Sequence, residues 1–203
     1  MNEIKLKEFE KRCVDEYLQG HIRSPIHLSG GNEKELIKIF KSVKKDDWVF
    51  TTYRSHYHAL LKGVDSEWLM NWVLKNKSIH VMNKENKVVT SAIVGGTLSQ
   101  AVGTALAIKL QKKTNKVWCF CGDMTASLGI FFDCIRYAEL NELPITFIVE
   151  DNGVSVYTPT DESWNAKNGE HLKHLSDFSN VKYFKYKRIY PHYGCGKFVE
   201  FKT

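Results

Sequence analysis

The chain has 203 residues, of which 43% are hydrophobic and 26% charged, and its net charge is +6. This composition is typical of a globular protein and excludes a wholly disordered one. The mild positive charge alone favours no class of partner. No apolar run approaches the roughly 18 residues of a membrane span, and residues 1–12 lack the apolar core of a signal peptide. We therefore expect a cytoplasmic protein that binds neither a membrane nor nucleic acid.

The cysteines argue against a disulfide framework, because there are five of them and no pair is spaced as Cys-x-x-Cys. Cys119 and Cys121 stand two residues apart in an apolar run, so both point to one side of a predicted strand. Buried thiols are the expected outcome there, and metal ligation is the alternative.

The first third of the chain reads as helices followed by a strand. Apolar residues recur at helical spacing over 3–19, with similar patterns over 33–44 and 66–75, and the run Trp48–Thr52 predicts a buried strand. We expect one domain over residues 1–203. Its expected parts are a helical one (1–45), a core that carries the motifs (46–160), and a C-terminal loop and strand (161–203).

The middle of the chain predicts a parallel α/β fold. A helical pattern rich in small residues covers Ser99–Lys112, a second covers Ala126–Leu140, and apolar strands are predicted at Val117–Cys121 and Ile145–Val149. A strand, a helix and a strand with short links form a right-handed parallel crossover. The fold class expected is therefore α/β, with a parallel sheet flanked by helices. Such sheets bind ligands beyond the carboxyl ends of their strands.

Two polar side chains follow the two central strands. Asp123 comes directly after one strand and Asn152 after the next, so both are expected at the same edge of the sheet. A carboxylate and an amide oxygen, completed by a backbone carbonyl and phosphate oxygens, suit Mg²⁺. Gly122 would allow a phosphate to approach the backbone. The alternative is purely local: Asp123 and Thr125 cap a helix, and Asn152 opens a turn.

Several segments in order resemble the alpha subunit of thiamine diphosphate-dependent 2-oxo acid dehydrogenases. Gly122-Asp123 and the later Asp151-Asn152 resemble the two ends of that family's thiamine diphosphate motif. The other matching segments are Thr52-Tyr53-Arg54-Ser55-His56, Ser78-Ile79-His80-Val81 and Ile93-Val94-Gly95, together with the small-residue helix after them. The resemblance covers about residues 20–160 and implies a thiamine diphosphate-binding, diphosphate-half domain.

The resemblance also implies a role for individual residues. Magnesium would be bound by the Asp123 carboxylate, the Asn152 amide oxygen and the Val154 backbone carbonyl. The expected cofactor-binding residues are Tyr53, Arg54, Ala92, Val94, Gly122, Met124 and Thr125. The expected catalytic histidines are His27, His56 and His192. The alternatives are that Tyr53 and Arg54 are ordinary surface residues, or that His56 and His58 form a metal pair.

Three departures from the family pattern bear on these expectations. Met124 replaces the third residue of Gly-Asp-Gly, and Asp151 replaces the first asparagine of the closing pair. Family members are longer, and the segment Lys187–Gly194 resembles only the start of their mobile active-site loop. The alternative for residues 182–187 is a basic, aromatic strand, a composition that also suits single-stranded nucleic acid.

The expected function follows from the resemblance. The chain would be the alpha-type subunit of an enzyme that uses thiamine diphosphate and Mg²⁺ to decarboxylate a 2-oxo acid or to transfer an acyl or aldehyde unit. A separate beta-type subunit would carry the cofactor-activating glutamate, in an alpha2-beta2 heterotetramer. The alternatives are a split transketolase-like carboligase subunit and a non-catalytic, regulatory paralogue.

Overall fold

The structure is a computed structural model that describes residues 1–166 and 170–200. The C-terminal part expected over 161–203 therefore lies partly outside the described residues. The helices are α1 (Glu3–Leu18), α2 (Glu33–Phe40), α3 (His56–Leu61), α4 (Ser66–Leu74), α5 (Leu98–Leu110), α6 (Asp123–Ala126), α7 (Gly129–Leu140) and α8 (Thr160–Ser163), with a 3-10 segment at Glu170–Asp177. The strands are β1 (Trp48–Thr52), β2 (Met82–Asn83), β3 (Val88–Ser91), β4 (Val117–Gly122), β5 (Ile145–Asp151), β6 (Val154–Ser155), β7 (Thr158–Pro159) and β8 (Val181–Lys185).

Six of these strands form one mostly parallel sheet, in the order β2-β3-β1-β4-β5-β8. Every neighbouring pair is parallel except β2 with β3. The predicted crossover is present as β4, α7 and β5, with Val117 opposite Ile145 and Gly122 opposite Glu150. The predicted α/β fold with a parallel sheet flanked by helices is confirmed.

Each face of the sheet buries its own apolar core. Trp118 and Phe120 of β4 contribute to the core formed with helices α1 to α4. Cys119 and Cys121 alternate with them and join the opposite core, which includes residues of α5 and α7. Such continuous apolar strands are expected where helices cover both faces. Both cysteines are buried, and all five in the chain are free thiols, as predicted.

The helix predicted over Ala126–Leu140 is divided in the structure. A single turn, α6, follows β4 directly, and the longer helix begins only at Gly129. Leu128 between them has extended backbone angles (φ −79°, ψ 146°), which end the first turn. A helix as short as α6 has a small dipole, so its N-terminus adds little to anion binding.

The C-terminal segment returns from β8 to the loop after α1. The Ile189 N–H donates to the carbonyl of Gly30 at 3.1 Å, and the Gly194 N–H donates to that of Ile26 at 2.7 Å. Gly31 has φ +111°, and a Cβ there would lie 2.3 Å from the Lys187 carbonyl oxygen, so this crossing requires glycine. Across the described parts of the chain, no helix combines the length and apolarity needed to span a membrane.

Candidate active site

A cleft opens at the carboxyl edge of the sheet, where the strand-to-helix loops meet. Five parallel strands contribute to it through the residues at or just after their ends. The lining residues are Thr52, Tyr53 and Arg54 after β1; Ser91, Ile93 and Val94 after β3; Gly122, Asp123, Met124 and Thr125 after β4; Glu150, Asn152, Val154, Ser155 and Val156 after β5; and Tyr186 after β8. This is the position at which open parallel sheets bind ligands.

Asp123 presents a buried carboxylate oxygen without a hydrogen-bond partner. The residue is 2% exposed, and its Oδ2 is buried and unpaired. Burial, reinforced by the nearby negative charge of Asp151, raises the pKa of the Asp123 carboxyl to about 6. A buried carboxylate oxygen without a partner is costly. A cation in the cleft would remove that cost, so the residue fits a metal ligand.

Asn152 lines the same cleft, in a turn where its side-chain amide has a hydrogen-bond partner at each end. Its Oδ1 accepts from the Val154 N–H at 3.1 Å, and its Nδ2 donates to the Tyr186 hydroxyl oxygen at 3.3 Å. Gly153 takes the left-handed conformation that the turn needs (φ +72°). In the described residues, no group of three or more His, Cys, Asp or Glu is arranged to hold a metal. One carboxylate with amide and carbonyl oxygens is the kind of set that Mg²⁺ accepts.

In the Gly122-Asp123-Met124 segment, the backbone of the glycine is accessible from the cleft. A Cβ at Gly122 would meet no atom within 4 Å, so a bulky group can approach its backbone. Met124, which replaces a family glycine, is half-buried and lines the same cleft. Its side chain therefore lies in the region that a diphosphate would enter.

Asp151 does not line the cleft, despite its place beside Asn152. Its Oδ1 accepts from the Gly153 N–H at 2.8 Å, and its Oδ2 accepts from the Tyr183 hydroxyl. The Lys185 ammonium lies 3.8 Å from the same oxygen. The negative charge that Asp151 brings in place of the family's asparagine therefore faces β8, where Lys185 partly neutralises it.

Arg54 lines the cleft but is largely committed to the protein itself. Its guanidinium is buried; Nη1 donates to the Leu28 carbonyl at 2.6 Å, and Nη2 lies 3.5 Å from the His192 carbonyl oxygen. Its centre lies 5.9 Å from that of the Tyr53 ring. Since a guanidinium has five N–H groups, donors remain for an anion. Diphosphate binding by Tyr53 and Arg54 stays a prediction.

His27 and His192 meet beside Tyr53, behind the lining of the cleft. The His27 Nδ1 lies 2.5 Å from the His192 carbonyl oxygen, so the ring donates there. Its centre is 4.4 Å from that of Tyr53 and 4.7 Å from that of His192. Burial lowers the pKa of His27 to about 3 and also lowers that of His192. Both rings are therefore neutral at physiological pH.

His56 and His58 lie deeper, and neither lines the cleft. His56 is wholly buried, with Nε2 2.9 Å from the Ser78 hydroxyl and its ring edge-on to Phe9. Burial lowers its pKa to about 4. His58 instead places Nε2 3.1 Å from Glu150. The two rings have different partners, which disfavours the alternative that they form a metal pair, and a catalytic role for His56 stays a prediction.

Of the remaining residues predicted for the site, some line the cleft and one does not. Val94 and Thr125 line the cleft, whereas Ala92, which is half-buried, does not. Sequence reasoning missed Glu150 and Tyr186, which also line it. Glu150 could have been found, because it directly precedes the closing Asp-Asn pair. Tyr186 could not, because only the pairing of β8 with β5 brings it here.

Comparison with known proteins agrees with this geometry. The family described as "Dehydrogenase E1 component" matches residues 1–172. The chain is 33% identical over 162 residues, 72% of its length, to the chloroplastic pyruvate dehydrogenase E1 component subunit alpha-3 of Arabidopsis thaliana. It is 27% identical over 166 residues, 77% of its length, to the alpha subunit of acetoin:2,6-dichlorophenolindophenol oxidoreductase of Bacillus subtilis. These matches span 38% of the plant protein and 50% of the bacterial one, so the chain corresponds to half or less of either relative.

Proposed function

The chain belongs to the dehydrogenase E1 component family, and on that premise we propose that it is an alpha-type subunit that binds the diphosphate half of thiamine diphosphate with Mg²⁺. The complete enzyme would decarboxylate a 2-oxo acid or transfer an acyl or aldehyde unit. The observation that carries the proposal is the unpaired buried oxygen of Asp123, which shares one cleft with Asn152 and Arg54.

The residues that line the cleft include groups suited to Mg²⁺ and groups suited to the diphosphate. Asp123, the Asn152 amide oxygen and the Val154 carbonyl would hold Mg²⁺, which completes its shell with phosphate oxygens and water. The open backbone at Gly122 and the guanidinium of Arg54 would meet the diphosphate. Backbone groups of Val94 would contact the aminopyrimidine.

Thiamine diphosphate supplies carbanion stabilisation when bound, and the protein supplies binding, orientation and electrostatics. Burial keeps His27 and His192 neutral. The proton of His27 is on Nδ1, where it is donated to a carbonyl, so Nε2 is left as the basic nitrogen. With a pKa of about 3 the His27 ring is a weak base, so it would orient a substrate group through a hydrogen bond rather than take its proton. His56 would act indirectly, through its hydrogen bond with the Ser78 hydroxyl.

The rim of the cleft suggests where a partner chain would lie. Ile93, Val94 and Val156 line the opening and are 75%, 52% and 46% exposed. Large exposed apolar residues grouped at one site mark interaction surfaces. A beta-type subunit that carries the activating glutamate would cover this rim and close the cleft, in an alpha2-beta2 assembly.

The test is calorimetric titration of thiamine diphosphate in Mg²⁺ buffer, with the full chain alone and with a co-expressed beta-type chain. Asp123→Asn, which keeps the side-chain volume, is the binding-deficient variant, and Asp133→Asn on the exposed side of α7 is its matched control. Saturable binding that is lost only in Asp123→Asn would support the proposal. A complex that forms but binds no cofactor would favour the non-catalytic paralogue, with Met124 filling the diphosphate region.

A further inference from the structure

The side-chain amide of Asn152 has a partner at each end. An amide oxygen and nitrogen are nearly equal in size, so only hydrogen-bond partners decide which of them faces the cleft. The Val154 N–H can only donate, and it meets Oδ1 at 3.1 Å. The Tyr186 hydroxyl oxygen accepts from Nδ2 at 3.3 Å. The Val154 N–H therefore selects one of the two possible orientations of the amide, and the Tyr186 hydroxyl, which can donate as well as accept, anchors its nitrogen end.

Tyr186 is itself firmly held. Its backbone N–H donates to the Asp151 carbonyl at 2.8 Å, which continues the pairing of β5 with β8 by one residue. Its ring centre lies 6.1 Å from that of Phe184. The hydroxyl, which can both donate and accept, is thus held in a fixed place at the end of the cleft.

We propose that Tyr186 is a positioning residue, which anchors the nitrogen end of the Asn152 amide and so holds its oxygen, in the orientation set by the Val154 N–H, in place for the metal. The inference rests on the proposed function, because it concerns the Mg²⁺ ligand named there. It also goes beyond the family comparison, since residues 1–172 match the family and Tyr186 lies outside them. The hydroxyl that faces Asn152 is supplied here by the residue directly after strand β8.

The first measurement needs no cofactor. In the ¹⁵N-labelled full chain, the side-chain NH₂ signals of Asn152 are assigned by their loss in Asn152→Asp. Removal of one neutral hydrogen bond in Tyr186→Phe should shift these signals and let the amide protons exchange with solvent about two- to tenfold faster. Tyr137→Phe, at a 45% exposed position on α7, is the control and should change neither quantity. Unchanged Asn152 signals in Tyr186→Phe would overturn the inference.

The second measurement is the Mg²⁺ affinity of the full chain, with its beta-type partner where binding requires it, at saturating thiamine diphosphate. Tyr186→Phe should weaken Mg²⁺ binding about two- to tenfold. In the Asn152→Ala background, which has no amide to hold, the same change should cost less than about twofold. Equal losses in the two backgrounds would overturn the positioning role.

The two measurements separate this inference from the proposed function. If the unaltered chain takes up neither Mg²⁺ nor thiamine diphosphate under either condition, the proposed function fails, and the inference that Tyr186 serves a metal site fails with it. The amide signals then still decide whether Tyr186 orients Asn152. If Mg²⁺ and the cofactor bind but the amide signals do not respond, only the inference fails.

Discussion

Glu10 of α1 accepts the backbone N–H of Ser29 at 2.6 Å, although its side chain is entirely buried. A second N–H, that of Gly30, donates to the same carboxyl at 3.0 Å. The loop held in this way contains Leu28, whose carbonyl receives the guanidinium of Arg54. Glu10, which does not line the cleft, therefore supports the loop that holds the guanidinium of Arg54.

The burial of Glu10 predicts a specific pH dependence of stability. Burial raises the pKa of the Glu10 carboxyl from its ordinary value of 4.5 to about 7. Between these values the folded state binds a proton that the unfolded state releases, so this contribution is fully present below pH 4.5 and is lost as the pH rises through 7. The loss is about 3 kcal/mol in the free energy of unfolding.

Glu10→Gln should remove this dependence. The glutamine cannot ionise, so the unfolding free energy of the wild type minus that of the variant should be greatest below pH 4.5 and should be about 3 kcal/mol smaller near pH 8. Urea unfolding at several pH values measures it. Glu8→Gln, at an exposed position of the same helix, should follow the wild-type curve. Parallel curves for the wild type and Glu10→Gln would contradict the prediction.

The unpaired oxygen of Asp123 predicts opposite effects on stability and on binding. Without metal and cofactor at about pH 8, Asp123→Asn should raise the free energy of unfolding by roughly 1–3 kcal/mol, because it removes a buried negative charge whose Oδ2 has no hydrogen-bond partner. The same variant should lose Mg²⁺-dependent cofactor binding. Thermal unfolding with and without Mg²⁺ and thiamine diphosphate measures both. A variant that is less stable without ligand would show that Asp123 supports the fold rather than a ligand.

Much of the sheet could be predicted from the sequence, because its central strands are continuous apolar runs. Val117–Cys121 and Ile145–Val149 each lie within an observed strand. The other strands have weaker patterns: β3 is only four residues long, and β8, which lies in the region where a C-terminal strand is expected, interleaves lysines with aromatic residues. Pairing with β5, a contact between distant parts of the chain, makes β8 a strand of the sheet.

Asp123 and Asn152, which directly follow strands, were predicted correctly to lie at one edge of the sheet. Residues whose position depends on tertiary packing were predicted less well. Asp123 and Asn152 share the cleft because parallel strands end at a common edge. His56 resembles a family histidine in sequence, yet it begins α3 and faces Phe9 and Ser78 in the helical core. Sequence spacing cannot indicate which side of a loop a ring will face.

Arg54 should not tolerate replacement by lysine. One ammonium cannot reproduce the contact with the Leu28 carbonyl and also serve His192 and an anion. Arg54→Lys should lower the free energy of unfolding by about 1–2 kcal/mol and weaken thiamine diphosphate binding at least about tenfold. Arg136→Lys, at an exposed position of α7, is the matched control and should change neither. Unaltered cofactor affinity in Arg54→Lys would place the diphosphate elsewhere.

The apolar rim predicts a variant that separates assembly from folding. Ile93 is 75% exposed, so Ile93→Glu loses little buried area and should change the melting temperature by no more than about 1–2 °C. If a beta-type chain covers the rim, the buried glutamate charge should weaken the complex at least about tenfold in light scattering after size exclusion. The matched control is Leu110→Glu, because Leu110 is 74% exposed and lies at the C-terminal end of α5, away from the rim residues. Equal assembly of both variants would mean that the partner leaves this rim uncovered, and the cleft would then have to be closed by another surface.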